Sequence, residues 1–159
     1  MPDAKNALLR HTVATIAYRG GKVLRGAPPE FADFRVSETS RTSGGILAHI
    51  GDLLDWALSL AEGREAWHNS TPLPWEPGTA RFFAALAAFD DRIASSEPLA
   101  CPAEGLFQGP IADCLHHLGQ IALMRRLAGS PVRGENYFKA EIAAGRLGPD
   151  QAKAKFEFD

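Results

Sequence analysis

The stretch DCLHHLGQIALMRRLAG, Asp113 to Gly129, places a carboxylate, two adjacent imidazoles and an amide among residues that read as a core-forming helix. Setting Asp113 at the origin of a helical wheel turns each residue by about 100°. His117 then falls about 40° away, inside the arc of Ile111, Cys114, Leu115, Leu118, Ile121 and Met124, whereas His116 falls on the opposite, solvent-like side. Asp113 and His117 stand one turn apart, so their side chains meet on one face and can grip a single metal ion. Gln120, one further turn on, and Asp52 are the candidates to hydrogen-bond such a ligand. A second stretch, GGILAHIGDLLDWALSLAEG, offers His49 just inside the apolar arc of its own helix. Two imidazoles and a carboxylate leave an open position on a metal, the arrangement of a catalytic rather than a structural site. An internal hydrogen bond between Asp113 and His117 accounts for the same spacing, and the residues alone leave both readings open.

These residues need helices to position them, and four segments carry helical periodicity. The first runs from about Ala4 to Leu24, closing at Gly20–Gly21 or shortly after, with Leu8, Leu9, Val13, Ile16 and Ala17 along one stripe. The second begins near Thr42 or Ser43, both good N-cap residues, and stops at Gly63. Its apolar arc holds Ile46, Ile50, Leu53, Leu54, Ala57, Leu60 and Ala61, and Asp52, Asp55, Ser59 and Glu62 take the other side. The third spans about Thr79 to Ser95, with Phe82, Leu86, Phe89 and Ile93 in register. The fourth spans about Pro110 to Leu127, with Pro110 at the first helical position and Gly129 just past its end. NYFKAEIAAG suggests a short extra helix ending at Gly145, and the tail reads as loosely structured. The expectation is one all-α domain over 1–159, a four-helix bundle with long connections and at least one crossover.

Composition narrows the classes. Seventeen basic against nineteen acidic residues, a net charge of −2 and no basic cluster argue against nucleic acid or an anionic membrane as partner. No apolar run reaches the roughly 20 residues of a membrane span, and MPDAKNALLRHTV lacks a signal-peptide core. Two cysteines, Cys101 and Cys114, make no disulfide framework or zinc-finger spacing. A soluble, cytoplasmic protein is the expectation.

At this point a resemblance adds to the reading. ILAHIGDLLDW is similar to the single-histidine helix of the DinB/YfiT-like superfamily of four-helix bundles, and D-x3-H-L-G-Q resembles that family's H-x3-H-x-G-Q. The resemblance implies a metal triad of His49, Asp113 and His117, with Asp113 standing where the family pattern has histidine. It further implies one divalent metal, zinc or nickel, or manganese or iron given the harder carboxylate ligand. The activity implied is that of a metal-dependent thiol S-transferase or a hydrolase acting on a small electrophile, in a homodimer. Phe82, Phe83 and Leu58 are candidates for spare apolar surface at such a dimer. The competing expectation is a non-catalytic bundle that binds a small apolar ligand or partner.

Other capable groups carry structural readings. His11 reads as a boundary residue of the first helix and Cys114 as a small buried hydrophobe. His68 is placed to pack beside Trp67 or close over a pocket mouth. Arg125, Arg126, Arg133, Glu135, Asn136 and Tyr137 read either as an anion grip or as a basic helix end followed by a turn, and the second is the simpler.

Overall fold

The computed structural model describes residues 3–159. Helix α1 (Ala4–Leu24) is capped by Asp3, whose side chain accepts from the Lys5 amide. Helix α2 (Ser43–Ala61) is capped by Thr42, whose hydroxyl accepts from the Gly45 amide at 3.0 Å. It ends ahead of Gly63, whose φ of 77° is the left-handed conformation a helix stop requires. Helix α3 (Trp75–Ala94) follows, then α4 (Ala103–Leu106), a π turn (Phe107–Ile111) and α5 (Ala112–Leu127). Leu106, Phe107, Ile111 and Ala112 all keep right-handed helical dihedrals, so these last three pieces form one rod.

The all-α expectation holds. Helix α2 packs on α3 and α5, and α1 packs on the same two, so the order around the bundle is α1, α3, α2, α5. Consecutive helices α1 and α2 are therefore diagonal partners, and the chain between them crosses the bundle end. A 3₁₀ turn at Pro29–Asp33 carries that crossover against α2 and α3, with Phe31 buried edge-on to Trp75. Trp75 in turn donates its indole N–H to the Leu24 carbonyl, closing the end of α1. Val13, Ile16, Ile50, Leu54, Phe82, Leu86, Phe89, Leu106, Ile111 and Ile121 fill the centre without solvent exposure.

Several boundaries and faces differ from the expectation. Helix α3 starts at Trp75 rather than Thr79, with Pro77 in its first turn, where an absent N–H loses no intrahelical bond. Pro110 does not open the fourth rod but lies inside it, and the widened π turn takes up its missing donor. Leu8 is 68% exposed, outside the α1 stripe. Phe82 and Phe83 are core rather than spare surface, and Leu58 is partly buried against the core. Asp52 and Ser59, expected toward solvent, are buried.

The expected C-terminal helix is reduced to one 3₁₀ turn, Tyr137–Lys139, because Phe138 finds nothing to pack on and is 98% exposed. The tail instead returns as β2 (Glu157–Phe158), antiparallel to β1 (Gly134–Glu135). Lys22 fixes this return by pairing with Glu135 at 2.7 Å and Glu157 at 2.9 Å, and the Tyr18 hydroxyl donates to the same buried Glu135 carboxylate. No helix among the described residues is long and apolar enough to cross a membrane.

Candidate functional site

His49 and His117 project toward each other because α2 and α5 are neighbours in the bundle. His49 sits between the buried residues Ala48 and Ile50, and His117 is one turn beyond the buried Cys114. Both imidazoles are half-buried, and their rings meet edge to face with centroids 4.8 Å apart. The His117 Nδ1–H donates to Gln120 Oε1 at 2.7 Å. An amide oxygen can only accept, so this bond places a proton on Nδ1, and in the neutral ring it is Nε2 that carries the lone pair.

Burial lowers the His49 pKa, and the charges of Arg41 and His117 lower it further. Asp52 and Asp113 pull the other way without reversing the shift. His49 is therefore the neutral, ligand-competent form at pH 7. Trp67 covers its other side edge-on, at 5.7 Å, and packs in turn on Trp56. His116 meets His117 from the exposed side of α5.

Of the three sequence-predicted ligands, the structure brings His49 and His117 together. Asp113 is exposed one turn earlier on α5 and reaches His49 through its charge. The hydrogen-bond partner of His117 is Gln120, as the i,i+3 spacing predicts. Cys114 is fully buried with its sulfur on the Ile50 carbonyl, and burial, then the Asp113 charge, pushes its thiol far above the ordinary range. Such a thiol stays protonated and is no nucleophile. His11 is exposed on α1.

Sequence reasoning missed a second cluster, one turn along α2 from His49. Asp52, 3% exposed, accepts from the Ser70 amide at 2.8 Å, the Ser70 hydroxyl at 2.6 Å and Arg81 Nη2 at 2.8 Å. The same Arg81 nitrogen reaches Asp55 at 2.9 Å, and Arg81 Nη1 donates to the Ala48 carbonyl. His68 Nε2 stands 3.0 Å from Asp52 and 3.1 Å from Asp55.

Burial pushes the Asp52 carboxyl up, but the Ser70 and Arg81 hydrogen bonds outweigh it and hold the group below its ordinary range. Asp52, Asp55 and His68 present donor atoms within 4.8 Å of one another and could hold a metal ion. The His49, Asp113 and His117 donors are not gathered that closely. The carboxylates of the second cluster, however, already carry a guanidinium, which a cation would have to displace. Its evident work is mechanical: it clasps the loop after α2 so that Trp67 lies on His49. Gly51 is the one local signal, since a Cβ there would stand 2.6 Å from Arg81 Nη1.

Beside His117 opens a cleft of about 370 Å³, within the lower range of small-molecule sites. Val36, Ile46, Leu123 and Met124 supply its apolar lining, with Arg41 and Gln120 as polar groups. In the basic segment, Arg125 is buried and donates to the Val23 and Arg25 carbonyls and to Ser130. It ties the end of α1 to that of α5, the structural role expected of a basic helix end. Compared with family models, curated proteins and solved structures, the chain matches none.

Proposed function

We propose that this chain is a metal-dependent enzyme of the DinB-like kind, with His49, His117 and Asp113 as ligands of one divalent ion. The observation that carries the reading is the facing His49–His117 pair at 4.8 Å, with one tautomer held by Gln120. Two facing imidazoles suit zinc or nickel, and the Asp113 carboxylate extends the set toward manganese or iron.

Asp113 lies on the same face as His117 and is exposed, so it can join the pair by side-chain rotation alone. When bound, such an ion lowers the pKa of a thiol or water and so makes a nucleophile available near neutral pH. The chain's own part is to hold the His117 proton on Nδ1 through Gln120 and to shield His49 from water with Trp67. The cleft beside His117 orients a small electrophile toward the pair. A thiol S-transferase or a hydrolase fits this arrangement.

Elemental analysis of untagged protein purified without chelator tests the proposal. About one metal ion per chain is expected, as for a three-ligand site. His49→Ala and Asp113→Ala should lose it while keeping the helical circular-dichroism spectrum, and His68→Ala should retain it. A wild type that stays empty after reconstitution with zinc, nickel, manganese and iron overturns the proposal. Loss of metal in His68→Ala but not in His49→Ala moves the site to Asp52, Asp55 and His68.

A further inference from the structure

On the face of α5 turned toward α1 lies a separate cleft of about 290 Å³. Its rim carries three guanidinium groups, Arg19, Arg126 and Arg133, and no carboxylate lines it. Leu118 and Val132 are among the apolar residues of its floor. The overall charge of the chain is −2, so this local excess of positive charge is not a property of the surface as a whole.

Arg19 is held in place: its guanidinium lies 3.9 Å from the centre of the Tyr137 ring. A stacked guanidinium keeps its N–H edge free for an anion while losing little rotamer entropy on binding. Among the described residues the one acid ion-paired to the rim is Asp159, 3.1 Å from Arg133 Nε and almost wholly exposed, while Glu157, held by Lys22, acts on Arg133 through its charge. Among the described residues Arg126 has no ion-pair partner.

We propose that this cleft binds a phosphate monoester with a small apolar or aromatic body, its phosphate on Arg19, Arg126 and Arg133 and its body on the Leu118–Val132 floor. Three cations exceed what one carboxylate needs and match a group carrying close to two negative charges at pH 7. The volume stands at the lower edge of ligand sites, so a single ring fills it and a nucleotide does not. The site shares only Leu123 with the cleft beside His117, and none of His49, Asp113 and His117 lines it.

Titration of the whole chain with phenyl phosphate, followed by amide chemical shifts and calorimetry, tests this. Phenyl phosphate should bind about tenfold or more tightly than either inorganic phosphate or benzoate, since each lacks one half of the recognition. Arg126→Ala and Arg19→Ala should each weaken binding about tenfold or more, the scale of one lost charge-assisted contact. Arg41→Ala, on the other cleft, should leave binding unchanged. Asp159→Asn should tighten it by removing the competing carboxylate.

Failure of phenyl phosphate to bind at millimolar concentration overturns the proposal. So does equal binding of inorganic phosphate, which would mean the floor is not read. Full binding by a folded Arg126→Ala variant overturns it as well.

Discussion

Arg81→Ala is expected to destabilise the protein by about 3 kcal/mol at pH 7, the low end of the range for removing one partner of a buried ion pair. The low end applies because Arg81 keeps 23% of its side-chain exposure while Asp52 keeps 3%. Without the guanidinium, Asp52 retains the two Ser70 bonds and the His68 contact, but its charge is left without its fixed counter-ion. The pH dependence has a definite sign. In the wild type the folded Asp52 carboxyl titrates below its ordinary value of 3.8. Its ionised form therefore contributes stability that is present above that value and lost as pH falls through the folded pKa. In the variant the burial cost is less opposed, the carboxyl moves upward, and protonation relieves the strain. The gap between the two proteins should thus be full at pH 7 and narrow as pH falls through about 4. Urea unfolding at both pH values reads this directly. A gap under about 1 kcal/mol at pH 7 would place the cluster among weak surface pairs instead.

The loop supplies a second readout. Ser70 and His68 are what Asp52 holds, and Trp67 between the helix end and Ser70 rests on His49. Releasing the clasp should red-shift the fluorescence of a protein whose Trp75 stays buried, before any global unfolding. A clasp that only added stability would leave native-state fluorescence unmoved.

The same cluster explains the limit of what the sequence discloses. Helix α2 was legible to its ends because local chemistry defines it: an apolar stripe, a Thr42 cap, a glycine stop; in α1 the Gly20–Gly21 pair reads as a stop but lies inside the helix, because Gly20 is where Phe82 packs. The His49–His117 pairing was legible for a related reason, since each imidazole departs from an apolar face at a spacing a wheel displays. The buried Asp52 was not. Its partners lie 18 and 29 residues away, on a proline-rich loop and on another helix, and no periodicity within α2 encodes them. A wheel reads Asp52 as solvent-facing because it counts residue types and cannot see that Gly51 opens a slot for Arg81. The β1–β2 pairing was hidden likewise. Two-residue strands have no alternation to detect, and their register is set by Lys22 on α1 reaching both Glu135 and Glu157. Pro110 misled for the opposite reason: a strong local signal for a helix start was overridden by the packing of Leu106 and Ile111, which keeps the rod helical on both sides of it.

Gly20 and Phe82 carry the second large effect, and they show how the rods are held at the spacing the histidines need. A Cβ at Gly20 would stand 2.5 Å from Phe82 Cζ and 3.4 Å from a Leu118 methyl. Gly20 thus lets α1 approach α3 and α5 at once, and Leu118 is the residue next to His117. Phe82→Ala should cost about 3–5 kcal/mol, the usual loss for an aromatic removed from a closed core. Gly20→Ala gains about 0.5–1 kcal/mol of helix propensity, but the overlap with a fully buried ring costs about 1–3 kcal/mol, so net destabilisation is expected. The double variant should be more stable than the sum of the two by at least about 1 kcal/mol, because the added methyl enters the space the ring vacates. Strict additivity in denaturant unfolding would mean that the two positions are not in contact and that the spacing of α1 from α3 is set elsewhere. Coupling of the expected sign would identify the Gly20 notch as the contact that seats α1 on Phe82 of α3, beside the Leu118 methyl of α5.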